Sequence, residues 1–324
     1  MTDLFFGFFS ILIFLFFYKF SFKLGKSISL VDKNNQVPTV GGILLFIGLT
    51  INFLYAYYSY EENIFLDPIS IIFVSVIFIF ALIDDIFNIS AILRLIICSV
   101  IITIFFTESE YLIKTLNFKY LGVYLFPENF FIIYFFSIFC MIVLLHAFNF
   151  IDGINTLASF VGLIWLLYLI FKIPILVNST LIFIIFLVFF IFLNFKNISF
   201  LGDSGNYIIS SMVGIIIIKE NLNNPYTFYV EEILLLFLIP GIDLIRLFFF
   251  RIKSKKNPLI GDQNHLHHKL LERFSLKKTL IIYLSLIVIP IIFYIIEEDL
   301  LLFLIIATII IYSFIIKKLS FVKK

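Results

Sequence analysis

Eleven apolar runs, separated by short polar clusters, make up most of the chain: 4–20, 41–58, 68–83, 92–106, 130–148, 156–171, 180–193, 207–218, 233–250, 280–296 and 300–316. A helix needs roughly 20 apolar residues to cross a ~30 Å hydrocarbon layer. The pattern therefore predicts an all-α polytopic membrane protein with about 10–11 transmembrane helices. The run 207–218 is short, and its helix is predicted to begin earlier or to tilt less than its neighbours. The first run has the length of a signal-peptide core. Asp3 precedes it, however, and it has neither a basic leader nor a small-residue cleavage site, so it reads as the first span. No repeat of fixed period stands out. The longest connections, 107–129 and 251–279, are too short for a soluble domain, so the chain reads as one integral-membrane domain, 1–324.

Composition narrows the class further. The chain is 62% hydrophobic, 19% aromatic and 14% charged, with a mean hydropathy of +1.15. An ordinary soluble domain is about half apolar and about a quarter charged. This balance excludes a soluble globular enzyme, a disordered chain, a nucleic-acid binder and a collagen-like fibre. Cys98 and Cys140 both lie within apolar runs and read as neither a disulfide nor a metal site.

The net charge of +2 matters less than where the charges fall. Basic loops stay cytoplasmic. With the N-terminus outside and the C-terminus cytoplasmic, 18 of the 23 Lys and Arg residues fall on the inner side. The acids then divide. Thirteen form a solvated outer surface, whereas Asp32, Asp84, Asp85, Asp152, Asp203, Asp243, Asp262 and Glu272 are cytoplasmic, most of them at span ends beside Gly, Asn or Pro. Polar groups at membrane depth cost about 2.5–3.5 kcal/mol each on insertion scales and by default mark function.

Four inner clusters carry the chemistry, at about 84–91, 149–155, 195–206 and 251–279, and the inner loop at about 21–40 completes the predicted active-site loops. Asp84 and Asp85 close the third span; neighbouring side chains on a helix diverge by about 100°, so one or both face a cation or a proton in transit, or else cap the next helix. His146, Asn149 and Asp152 recur at spacings of three on one helical face, with Asn155 close by. Such a stripe either lines a wet cavity or ties two helices together. Gly202-Asp203-Ser204-Gly205 puts glycines around an acid before a helix, which leaves backbone N–H groups for phosphate oxygens. The string also fits the Gly-x-Ser-Gly of intramembrane serine proteases, but no later span supplies a His to activate Ser204. His265, His267 and His268 follow Asp262 in a basic loop. They lack the cysteines and spacing of a zinc site and suit a polyanion instead. Mg²⁺ binds one or two carboxylates, keeps waters and bridges phosphates. The layout thus predicts phosphoryl transfer from a cytosolic nucleotide to a membrane-dissolved acceptor.

Five strings occur in order: Val37-Pro38-Thr39-Val40-Gly41-Gly42, Asp84-Asp85-x-x-Asn88, Asn149-x-x-Asp152-Gly153, Phe200-Leu201-Gly202-Asp203-Ser204-Gly205 and His265-x-His267-His268. With them the chain resembles, over nearly its whole length, the polyprenyl-phosphate N-acetylhexosamine-1-phosphate transferases (glycosyltransferase family 4). The His-x-His-His form is closer to the WecA-like branch than to the MraY-like branch. The resemblance implies a bacterial inner-membrane enzyme, possessing a cytoplasmic active site, that moves a sugar 1-phosphate from a UDP-N-acetylhexosamine to undecaprenyl phosphate. UMP is released, Mg²⁺ (or Mn²⁺) is required, and a cell-surface glycan such as O-antigen is begun. It implies Asp203 and Asn149 as metal ligands, Asp84, Asp85 and Asp152 in catalysis, and Lys33, Asn88, Asn155, Gly202, His265, His267 and His268 at the substrates. Direct attack by the lipid phosphate and a covalent phospho-aspartate remain alternatives, and a homodimer is compatible with the family.

The chain departs from the family pattern at several positions. Only Lys33 remains of an Arg-Lys-x-His stretch before Pro38. His146 replaces an Asn, Asn155 an Asp, Thr156 a Gly, Asn206 a Ser and Gln263 an Arg. Two other classes compete with the enzyme. A carrier or flippase for lipid-linked sugars should show midplane polar groups and an internal repeat. An inactive relative would bind Mg²⁺ and UDP-sugar without turnover.

Overall fold

The computed structural model describes residues 2–27, 30–31, 37–59, 67–109, 111–127, 130–257 and 262–320. Except for the first residue of 156–171 and of 300–316, every apolar run lies in a helix. These are α1 (Thr2–Ser27), α2 (Gly41–Ser59), α3 (Pro68–Phe87), α4 (Ala91–Ser109), α5 (Phe130–Asn149), α6 (Leu157–Lys172), α7 (Leu176–Phe195), α8 (Gly202–Asn223), α9 (Val230–Lys253), α11 (Leu276–Ile296) and α12 (Leu301–Ser320). A six-residue helix, α10 (Leu266–Leu271), lies in the histidine-bearing loop. Eight helices among the described residues are long and apolar enough to cross a membrane. Large apolar side chains stay exposed along them, as with Ile96, Val100 and Ile104 on α4 and Ile306, Ile310 and Phe314 on α12. A stripe of this kind at helical spacing is stable against lipid. This is an all-α integral membrane protein.

Contacts within the chain define two compact units, Met1–Leu112 with Tyr134–Lys219, and Ile113–Ile133 with Glu220–Lys324. In the first, α2 packs closely on α7. A Cβ at Gly48 would lie 2.6 Å from the Phe186 ring, so the glycine permits the close approach. The buried Asn52 side chain bonds the Ser179 carbonyl. Every residue of α8 from Ser204 to Ile218 is buried, and the hydroxyls of Ser210 and Ser211 bond back to the carbonyls of Asn206 and Tyr207. A helix walled by protein rather than lipid tolerates serines and glycines. Hence its apolar run is only 207–218, although the helix begins at Gly202, earlier than the run, as the sequence allowed.

In the second unit the connection 107–129 holds a hairpin absent from the sequence reading: β1 (Thr115–Phe118) pairs antiparallel with β2 (Gly122–Leu125), Thr115 opposite Leu125. It is tied down by Lys119, whose backbone N–H donates to Glu231 at 3.1 Å and whose Nζ lies 3.1 Å from Asp299. Glu232 caps α9: its carboxylate accepts the Tyr229 N–H at 3.3 Å and the Tyr294 hydroxyl at 3.0 Å.

Candidate active site

The first and fourth motifs meet in the first unit. The N–H groups of Gly41 and Gly42 donate to the carbonyls of Phe200 (2.9 Å) and Leu201 (3.0 Å), and the Phe200 N–H donates to the Pro38 carbonyl at 2.9 Å. The Ser199 hydroxyl reaches the same Pro38 carbonyl at 3.1 Å. A Cβ at Gly42 would collide with the Ser204 side chain, so only glycine lets the two backbones meet. The Pro38–Gly42 stretch is thus a brace for the segment that carries Asp203.

The paired aspartates close α3 in its last turn and diverge to different tasks. Asp85 caps α8 rather than the helix that follows it: its Oδ1 accepts the Asp203 N–H at 2.8 Å, and its Oδ2 accepts the Ser204 N–H at 3.1 Å and the Ser204 hydroxyl at 2.7 Å. A carboxylate at a helix N-terminus satisfies otherwise orphaned donors and meets the positive end of the helix dipole. Gly202 has φ +76°, and a Cβ there would sit 2.7 Å from Asp85 Oδ2. Asn88 ends α3 in the left-handed conformation with φ 54°, its N–H on the Asp84 carbonyl at 2.7 Å. That turn delivers the Ile89 N–H to Asp84 Oδ1 at 2.7 Å. The Asn88 side chain is exposed.

Asp84 Oδ2 lies 2.5 Å from Arg94 Nε, and the same guanidinium places Nη1 2.9 Å from Asp203 Oδ2. One cation therefore bridges carboxylates of α3 and α8. The Asp84 side chain is 1% exposed, Arg94 24% and Asp203 26%, so this site is open on one side.

The polar stripe of the fifth span does not continue as a helix. α5 ends at Asn149, and turns carry the chain through Asp152 to Thr156. Asp152 still joins the cluster because Asn206, three residues after Asp203, reaches both: its Nδ2 donates to Asn149 Oδ1 at 3.0 Å and to Asp152 Oδ2 at 2.8 Å. Asn206 Oδ1 and His146 Nε2 are buried with no hydrogen-bond partner, and the His146 ring meets Tyr207 edge-on at 6.1 Å. Burial pushes the Asp152 carboxyl up to about 7, the Asn206 hydrogen bond opposing and the charge of Asp203 adding. Asn155 leaves the expected face: its amide bonds the Asn197 side chain, tying this turn to the α7–α8 connection.

The histidine loop is organised within the second unit. Asp243 Oδ2 accepts from His265 Nδ1 at 2.9 Å and from the Leu266 N–H at 3.2 Å. Its Oδ1 accepts from Arg246 Nη2 at 2.7 Å and from the Tyr312 hydroxyl at 2.5 Å. Arg246 also donates to the Asn264 carbonyl at 2.7 Å, and Arg251 Nε holds Asp262 at 3.0 Å. His265 and His267 are buried and His268 is half-buried, with the 267 and 268 rings 4.3 Å apart. Burial drives His267 down to about 3, helped by its neighbouring imidazoles against Asp243.

The structure thus gathers Asp84, Asp85, Asp203, Gly202, Asn149 and Asp152 in one unit, and His265, His267 and His268 in the other. Lys33 lies outside the described residues. Arg94 and Asn206, which link the acids, were absent from the candidates. Arg94 reads in the sequence as one more inside charge, and its place ten residues after Asp84 was the available signal.

Acids thus converge at helix ends inside an apolar bundle, and similarity to known proteins supports reading the chain as a membrane-embedded phosphotransferase. Residues 68–221 match the sequence profile of glycosyl transferase family 4. It is similar to the undecaprenyl-phosphate alpha-N-acetylglucosaminyl 1-phosphate transferase of Thermotoga maritima, 25% identical over 252 residues covering 77% of this chain and 73% of that one. The protein of the same name from Escherichia coli K12 is 24% identical over 287 residues, 82% of this chain and 75% of that one.

Proposed function

We propose that this protein transfers an N-acetylhexosamine 1-phosphate from a UDP-sugar to undecaprenyl phosphate at the cytoplasmic face of a bacterial inner membrane, releasing UMP and starting a cell-surface glycan. The observation that carries this reading is the pairing of Asp84 and Asp203 about a single cationic group, with Asp152 joined to the same helix start through Asn206. The names of the relatives support the acceptor and the sugar phosphate. The asymmetry of basic residues supports the sidedness.

The donor set fits Mg²⁺, with Mn²⁺ as a substitute: two hard carboxylate oxygens already share one positive partner, as a divalent ion between phosphorylated substrates requires. Asp203 would hold the ion with Asp84, and Asn149, tied to α8 through Asn206, is the further oxygen donor that the family resemblance implies; the ion would neutralise charge on the diphosphate and departing UMP. Asp85 has both oxygens engaged by α8 and acts by holding Asp203 in place. Asp152, near pKa 7, suits a general base toward a phosphate monoester whose second pKa is about 6. The proton passes to the Asp152 carboxylate, the freed lipid phosphate oxygen bonds to the β-phosphorus, and the bond from that phosphorus to UMP breaks. Direct attack is favoured over a phospho-aspartate because Asp84 and Asp85 are both already held by protein donors.

The test is UMP release by purified protein given Mg²⁺, undecaprenyl phosphate and a panel of UDP-N-acetylhexosamines. Release with one of them, abolished by EDTA and restored by Mg²⁺, is the expected result. Silence across the panel would end this reading.

A further inference from the structure

We propose that Arg94 gates the cation site: its guanidinium holds the position between Asp84 and Asp203 that a divalent ion takes, so the ion enters only as the guanidinium leaves. This rests on the metal-dependent transfer proposed above and adds an order of events to it.

The inference follows from which atoms are used. Nε and Nη1 of one guanidinium address the Oδ2 atoms of two different carboxylates, at 2.5 Å and 2.9 Å. Asp84 has its other oxygen on the Ile89 N–H, so Oδ2 is the atom it can offer to any cation. Two neighbouring carboxylates repel unless a positive charge lies between them. Arg94 supplies that charge within the protein itself. A divalent ion on the same two oxygens would stand at contact distance from a guanidinium, so the two exclude each other. Once displaced, the planar fork of Arg94 matches a phosphate group. A diphosphate-bearing substrate would therefore draw Arg94 off the acids while delivering the ion that replaces it. Binding of cation and donor becomes coupled through one side chain.

The bridging fork distinguishes this role from a simple effect of charge. Lysine keeps the charge but is a compact point donor that does not reproduce the two-carboxylate fork. The experiment measures Mn²⁺ binding to nucleotide-free protein by electron paramagnetic resonance of the free ion, for the wild type, Arg94→Lys, Arg94→Gln and Asp203→Asn. Both Arg94 variants are expected to bind Mn²⁺ at least about fivefold tighter than the wild type, the lower end of ordinary coupling between sites, and Asp203→Asn is expected to lose that site. If Arg94→Lys matches the wild type while Arg94→Gln gains, charge alone is responsible and the gate is overturned. No gain in either variant, or Mn²⁺ retained by Asp203→Asn, also overturns it. UMP release is read separately on the wild type: no turnover by the wild type, alongside tighter Mn²⁺ binding in both Arg94 variants, would sink the transferase and leave the gate standing.

Discussion

Ser204 donates its hydroxyl to the Asp85 carboxylate at 2.7 Å across 119 residues of chain, and the backbone N–H groups of Asp203 and Ser204 meet the same carboxylate. The hydroxyl is one of three donors. Ser204→Ala is expected to cost about 1 kcal/mol, the net worth of an ordinary hydrogen bond, and to keep most of the UMP release. Asp85→Ala removes all three acceptor contacts and should abolish it. The pair of variants, assayed together with thermal melts, separates a hydroxyl nucleophile from a helix-capping partner. Loss of turnover in Ser204→Ala with an unchanged Tm would contradict the capping role.

Gly202 is expected to tolerate no side chain. Its φ of +76° is strained for other residues by roughly 1–2 kcal/mol, and a Cβ would press on Asp85 Oδ2 and Thr39 Cγ2 at 2.7 Å. Gly202→Ala should lower UMP release at least tenfold by displacing Asp85, and a melt would show folding retained at reduced stability. Wild-type turnover in this variant would mean that the α8 start can shift without harm.

Asp203→Ala and Asp84→Ala are each expected to abolish formation of the polyprenyl-diphosphate sugar, measured by transfer of radiolabelled sugar into lipid extract. Asp84 is the more buried partner, so its loss should also destabilise the fold. Substantial transfer by Asp203→Ala would remove that residue from the reaction.

In the second unit, Tyr312→Phe takes a hydroxyl from Asp243 and Arg246 together. Hydrogen bonds to charged groups are worth about 1.5–3 kcal/mol. Asp243→Ala leaves Arg246 beside an empty place, and breaking a buried ion pair typically costs about 3–5 kcal/mol. The larger Tm loss should therefore belong to Asp243→Ala. Equal losses would show that the ion pair adds little to the network.

His267 gives a dependence on pH. Its folded pKa, about 3, lies below the ordinary 6.5, so below pH 6.5 the unfolded chain binds a proton that the folded chain refuses. The stability it contributes is present above pH 6.5 and is lost as pH falls toward 3, by at most about 1.4 kcal/mol per pH unit. His267→Gln should flatten the fall in Tm between pH 6.5 and 4.5, and an unaltered slope would assign that fall to other groups.

The helices were legible because lipid imposes length and apolarity on each one separately: runs such as 41–58 and 130–148 match α2 and α5 within a residue or so. The motifs located the acids. What stayed hidden were links between distant residues. Asp85 reads as a cap for whatever comes next, yet it caps a helix that begins over a hundred residues later. Asn206 reads as a departure from a pattern, yet it joins Asn149 to Asp152. Arg246 looks stranded in a span until Asp243 and Tyr312 are seen around it. Side-chain spacing also misled at Asn155, where a count of three along a helix fails once α5 stops at Asn149.

The brace between Pro38–Gly42 and Ser199–Leu201 joins the threshold of the second helix to the threshold of the eighth. As the chain emerges from the ribosome, the six helices α2–α7 must be synthesised before that seam can close. Asp203 thus acquires its setting late in biogenesis, and a nascent chain halted before residue 199 holds neither the seam nor a reaction centre.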